Sequence, residues 1–256
     1  MVSGTKTSLP SWLWLWIPIA IVPAQVGVKF ASEDLYRSIF RGELGLVENL
    51  TVLSLAIAIG CAIWLFRQRD SVDSRWFGPF ALVMAAGCFF FAGEEASWGQ
   101  HWFGYTPPEA IAERNDQGEF NFHNDPFLER ILDQPPRAAL TLAALIGGVI
   151  APLRRRRQGL GGPRFRSERG DGSGSLQDWI WPTLHCLPAC VLVLTVSLPK
   201  KIFEATSGET PEALNISPGE TKEFGLGLFL MIYLIMLARE LAAGRRAAGA
   251  TGPAGS

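Results

Sequence analysis

The sequence predicts an all-α integral membrane protein, a helical bundle of about six transmembrane helices with both chain ends on the cytoplasmic side. Three observations predict it. Apolar runs of the ~17–25 residues needed to cross a hydrocarbon core recur along the chain. Lys and Arg are segregated into alternate connecting segments. All four cysteines, Cys61, Cys88, Cys186 and Cys190, fall inside the apolar runs, which argues against a disulfide framework. A length of 256 residues and a net charge of -1 would suit one or two soluble domains, but the spacing of the apolar runs excludes that.

The first run, Trp12 to Val28, opens with Trp12, Trp14 and Trp16, which suit an interfacial belt. Only Lys6 precedes it and no small-x-small cleavage site follows, so we expect a retained span rather than a signal peptide. The second and third runs are Val47 to Phe66 and Phe77 to Gly93. The fourth is Ala138 to Leu153, the fifth Trp179 to Leu198 and the sixth Phe224 to Leu241. Pro18 and Pro23 in the first run and Pro182 and Pro188 in the fifth predict kinks, tolerated where neighbouring groups re-satisfy the freed carbonyls.

Orientation follows from charge. Arg67, Arg69 and Arg75 follow the second run, Arg154 to Arg157, Arg164, Arg166 and Arg169 follow the fourth, and Arg239 at the end of the sixth is joined by Arg245 and Arg246 in the tail. These segments should be cytoplasmic. Residues 94–137 instead collect Glu94, Glu95, Glu109, Glu113, Asp116, Glu119, Asp125, Glu129 and Asp133, and should form an extracytoplasmic motif loop. Residues 158–175, rich in Gly, Arg and Ser, read as a flexible cytoplasmic linker. Residues 242–256, rich in Ala and Gly, read as a disordered tail, so that 1–256 forms one membrane domain.

The candidate site begins where the third run meets two adjacent carboxylates. An ionisable group at membrane depth is costly and by default a functional hypothesis. If the third helix continues outward, Glu94, Ser97 and His101 share one stripe, and Glu95, Gly99 and Trp102 share the next. In the loop, Pro108 to Asp116 suits a short amphipathic helix. Asn115, Glu119 and His123 recur at a spacing of four, although Gly118 permits a turn equally well. Asn121 and Asn124 flank His123 with amides able to fix its tautomer, and Gln100 and Gln117 add further binding groups.

Three chemistries fit this set. Glu94, Glu95 and His123, with Glu119, could ligate a divalent metal such as zinc that activates water. A carboxylate and His123 could act as base and acid without metal. Ser97 as a nucleophile is the third, although the sequence assigns it no partner. The same groups would also serve as a hydrogen-bonded plug tying the loop to the helix ends. Glu48, Asn49 and Glu223 start the second and sixth runs on the same side, and Lys200 and Lys201 end the fifth there, where they suit a phosphate headgroup or a snorkelling anchor.

The pattern Glu94-Glu95-x-Ser97-Trp98-Gly99-Gln100, followed by Asn115-x-Gln117-Gly118-Glu119-x-Asn121-x-His123-Asn124, resembles a group of uncharacterised bacterial multi-pass membrane proteins. Glu43, Gly45 and Glu48 look like the same group's segment ahead of its second span, and Arg stands in that group where this chain has His101. The resemblance implies a bacterial inner-membrane location and no particular activity. Together these readings lead us to expect catalytic roles for Glu94, Glu95, Glu119 and His123 in an enzyme that hydrolyses, or transfers a group from, a lipid or lipid-linked substrate. A non-enzymatic membrane subunit binding a protein partner is the alternative, and a proton-coupled transporter is the third. Membrane lipids are the expected partners, and nothing points to nucleic acid.

Overall fold

A computed structural model describes residues 8–41, 45–115, 118–122, 125, 127–128, 130–131, 134–160, 162–165 and 174–250. Six of its helices are long and apolar enough to cross a membrane: Trp12–Ala31, Leu46–Arg67, Phe77–Glu95, Gln134–Arg157, Leu184–Thr206 and the last, which begins at Pro218. Outward-facing Leu53, Leu82, Val83, Phe89, Leu142 and Ile150 are exposed, as expected where hydrocarbon rather than water surrounds the bundle. This is a polytopic membrane protein.

The sixth span is the core of the bundle. Phe224, Leu226, Leu228, Ile232, Leu234 and Leu237 cover all its faces and are all buried, the mark of a helix surrounded by others. It packs against the second and fifth spans, and the third packs on the second. Small residues set these distances: a Cβ at Gly225 would lie 2.8 Å from Val193 Cγ2, and one at Gly148 would collide with Cys190 Sγ. Backbones therefore approach as closely as membrane helices allow. The four cysteines are free thiols.

Polar ties pin both ends. At the acidic end, Gln25 Nε2 donates to Thr221 Oγ1 at 3.0 Å, Lys29 Nζ donates to the Asn215 carbonyl at 2.8 Å, and Arg137 pairs with Glu223. At the basic end, Tyr233 O–H donates to the Ile180 carbonyl at 2.7 Å. The loop from Ala96 therefore sits at the same end as the starts of the second and sixth spans.

Several local expectations are corrected. The fifth span starts at Leu184 rather than Trp179, because Pro182 keeps the residues before it out of helical conformation; Trp179 ends a separate turn, Leu176–Trp179, capped by Ser175. Its break falls at Val196 and Ser197 rather than at Pro188, since Pro188 and Pro199 each occupy the first turn of a helical segment, where no N–H is required. The last helix runs through Pro218–Ala250, so residues 242–250 are helical rather than a disordered tail; residues 251–256 lie outside the described residues. Within the expected flexible linker, residues 162–165 are docked. The Phe165 carbonyl accepts the Asp73 N–H at 2.9 Å, Arg164 N donates to the Asp178 carbonyl at 2.8 Å, and the Phe165 ring meets Phe77 edge-on at 6.1 Å. Residues 166–173 lie outside the described residues.

Candidate functional site

The third helix ends at Glu95, and the next residues do not continue it. Ser97, Trp98 and Gly99 have φ of 43°, 52° and 88°. Left-handed backbone costs a residue with a Cβ roughly 1–2 kcal/mol, so only Gly99 adopts it freely. The two stripes expected of a continuous helix are thereby overturned. Ser97 swings towards the loop, and Gly99 serves the turn. A Cβ at Gly99 would also lie 2.9 Å from the ring of Phe103.

Side-chain bonds offset the backbone cost. Trp98 Nε1 donates to Glu94 Oε1 at 2.8 Å, and its ring lies over Gly93, between Phe89 and Phe90. Ser97 Oγ donates to Glu119 Oε2 at 2.8 Å. Tyr105 O–H reaches the Ser97 carbonyl at 3.3 Å. These contacts lock the helix end against the returning loop.

The loop builds its half of the site from amides. From Pro108 to Asn115 only Glu109–Ala112 is helical, and Asp116, where the expected helix ends, lies outside the described residues; Gly118, at φ 68°, makes the turn that the sequence left open. Asn115 bridges this turn: its Oδ1 accepts the Glu119 N–H at 3.1 Å, and its Nδ2 donates to the Asn121 carbonyl and Oδ1 at 3.0 and 2.8 Å. Asn121 Nδ2 in turn donates to Ser97 Oγ at 3.1 Å and to Glu119 Oε2 at 2.5 Å. Two backbone amides tie the loop to the helix: Phe120 N donates to Gln100 Oε1 at 2.7 Å, and Phe122 N donates to Glu94 Oε2 at 2.8 Å.

Glu119 is the centre of this network. One oxygen receives Ser97 and Asn121; the other lies 3.8 Å from His101 Nε2. Glu94, Glu95, Ser97, Asn115, Glu119 and Asn121 are at most 9% exposed, so their polar bonds form away from bulk water, where they count for more.

A second tie lies further along the loop, where Arg114 Nη2 is 3.0 Å from Asp125 Oδ2 and Asp125 Oδ1 accepts the Phe127 and Leu128 N–H groups at 2.9 and 3.1 Å. Desolvation pushes the Asp125 carboxyl upward, but those two N–H bonds and Arg114 together outweigh it and hold the group below the usual carboxylate range.

The structure thus brings together Glu94, Ser97, Gln100, Asn115, Glu119 and Asn121 from the sequence-derived set, with Glu95 buried beside Glu94. His123, Gln117 and Asn124 lie outside the described residues. Glu48 is half-buried in the first turn of the second span. Lys200 turns towards Glu204 of its own helix at 3.8 Å, and Lys201 is exposed. Among the described residues no three His, Cys, Asp or Glu side chains are grouped as metal ligands. Trp98 as the partner of Glu94 was missed, although their spacing of four residues, at which side chains meet on a helix, was a signal. Tyr105 and the Arg114–Asp125 tie had no comparable signal.

No family model, curated protein or solved structure matches this chain. The functional reading therefore rests on the geometry of the chain itself. A hydroxyl donating to a buried carboxylate is the arrangement of a nucleophile with its general base. Ser97 also occupies a left-handed conformation, of the kind that concentrates at active sites and ligand clamps.

Proposed function

We propose that this membrane protein is an enzyme that hydrolyses, or transfers a group from, a lipid or lipid-linked substrate at the acidic end of its bundle, outside the cytoplasm. The observation that carries the reading is the Ser97 Oγ to Glu119 Oε2 hydrogen bond of 2.8 Å, buried at the depth where a spanning helix ends. In this reading Ser97 Oγ attacks an acyl or phosphoryl centre while Glu119 takes its proton. The new bond to Ser97 displaces the substrate's alkoxide, which leaves with that proton. Water or a second hydroxyl then releases the group from Ser97, restoring the hydroxyl. His101, beside the other Glu119 oxygen, stabilises the carboxylate. Glu94 holds the loop through Trp98 and Phe122, a positioning role in place of the metal-ligand role expected from sequence. Glu95 and His123 are retained as candidate acid–base groups.

The test needs no known substrate. The detergent-purified full chain is treated with a fluorophosphonate, which phosphonylates activated serines. Labelling should map to Ser97 and vanish in Ser97→Ala. Glu119→Gln, which preserves the shape of the acceptor but not the base, should stay monodisperse and label at least ~10²-fold more slowly, the usual worth of general-base catalysis.

A second reading is favoured by one specific observation: Glu94, Ser97, Gln100, Asn115, Glu119 and Asn121 all hydrogen-bond within the protein. On that reading the network is a clasp and the chain is a non-enzymatic subunit. An unlabelled, well-folded wild type whose Glu119→Gln variant melts earlier would select it.

A further inference from the structure

At the end of the bundle opposite Glu94, a cationic cavity and an apolar one share a wall. The first, of about 440 Å³, lies between the end of the fourth span and the start of the fifth and is lined by Arg155, Arg156, Trp181, Pro182 and His185. A smaller cavity of about 240 Å³ beside it takes Arg155 again, with Arg164 and Asp178. The apolar cavity, of about 570 Å³, opens between the third, fourth and sixth spans against Phe80, Leu140, Ile146 and Leu230, and Trp181 and Pro182 line it too. Pro182 is seated against the fourth span, 3.6 Å from where a Cβ on Gly147 would lie.

We propose that these adjoining cavities bind one anionic glycerophospholipid of the surrounding leaflet, its phosphate held by Arg155 and Arg156 and an acyl chain lying across the shared Trp181–Pro182 wall in the apolar cavity. Charge complementarity selects the headgroup. Among the described residues, Arg155, Arg156 and Arg164 line the two polar cavities with one acid, Asp178, whose Oδ2 accepts the Ser175 N–H at 2.9 Å as part of a helix cap, and Glu240 stands at the Gly162 edge, so the basic groups outnumber the acidic ones. Guanidinium forks match phosphate oxygens bidentately, and an Arg run at the end of a span lies at the depth of lipid phosphates. Adjacency selects a lipid over a soluble phosphate, because a soluble anion would leave the neighbouring apolar cavity, lined by the same Trp181 and Pro182, unused. Access is lateral: Leu142 and Ile146, on the wall of that cavity, are also exposed on the outer face of the fourth span. The site lies at the other end of the molecule from Ser97 and does not depend on the enzymatic reading.

The test is native mass spectrometry of the detergent-purified full chain after exchange into equimolar phosphatidylglycerol and phosphatidylcholine. The wild type should retain one phosphatidylglycerol with a preference of about tenfold or more. Arg155→Gln/Arg156→Gln should abolish that preference, with Arg154 and Arg157 left in place to hold topology. Ile146→Trp fills the apolar cavity with every charge intact, and it should also lose the lipid. Equal retention of the two lipids, full displacement of phosphatidylglycerol by glycerol phosphate, or wild-type retention in either variant would overturn the proposal.

Discussion

The turn from Ser97 to Gly99 shows how single residues decide the site. Three left-handed residues in succession reverse the chain so that a serine two residues beyond a spanning helix faces a loop carboxylate instead of the bilayer interface. Gly99→Ala should cost about 1–2 kcal/mol from backbone conformation alone, with further loss from the Phe103 contact. The checking measurement is a lower melting temperature of the purified chain, with Gly104→Ala, where a Cβ would meet no neighbour, as the comparison for backbone cost alone. Asp125 makes a pH prediction. Its carboxyl is held below the ordinary range, so its stabilisation is complete above the ordinary Asp value of about 3.9 and is lost as pH falls through the lowered folded value. Melting curves of wild type and Asp125→Asn should therefore lie furthest apart above about pH 4 and draw together below it. At this scale the sequence singles out Glu94, Ser97, Gln100, Asn115, Glu119 and Asn121, which the structure joins through hydrogen bonds between the helix end and the loop. It did not reveal their pairing, because a left-handed turn at Ser and Trp breaks the periodicity from which faces are inferred.

At the scale of elements, the ends of helices are held by buried polar side chains. Lys29 closes the first span, its Nζ 3.3 Å from Glu33, 3.1 Å from Glu212 and 2.8 Å from the Asn215 carbonyl, above the Tyr36 ring. Lys29→Met removes the donor from the Asn215 carbonyl, and Asn215, like Glu33 and Glu212, is exposed enough to rehydrate. The loss should therefore be the ~0.5–1.5 kcal/mol net worth of a hydrogen bond rather than that of a buried charge without its partner. Thermal unfolding of the purified variant measures it, and a melting temperature equal to the wild type's would remove Lys29 from this role. Spans were legible from hydropathy because hydrocarbon imposes a length. Proline was a poorer guide to breaks, since Pro188 and Pro199 start helical segments and the fifth span yields between them.

For the molecule as a whole, the acidic loop and the basic segments occupy opposite ends of one bundle. Asp70→Cys and Thr106→Cys, both at exposed positions, should therefore react from opposite sides of the membrane. In intact cells an impermeant maleimide should label Thr106→Cys, and Asp70→Cys only after permeabilisation; the reverse order would invert the topology and move the proposed enzymatic site to the cytoplasm.

The sequence by itself determined the solvent of this protein, the number of its spans and the residues gathered at the end of the third. Each follows from a property summed along the chain: hydropathy over a bilayer's thickness, or charge over a loop. Only the tertiary structure decided that Glu119 answers Ser97, that Glu94 anchors the loop through Trp98 and Phe122, and that Arg155 and Arg156 stand beside an apolar cavity. Those pairings join residues that one unpredictable turn, or an entire span, separates in sequence, and only the packing of the helices brings them together.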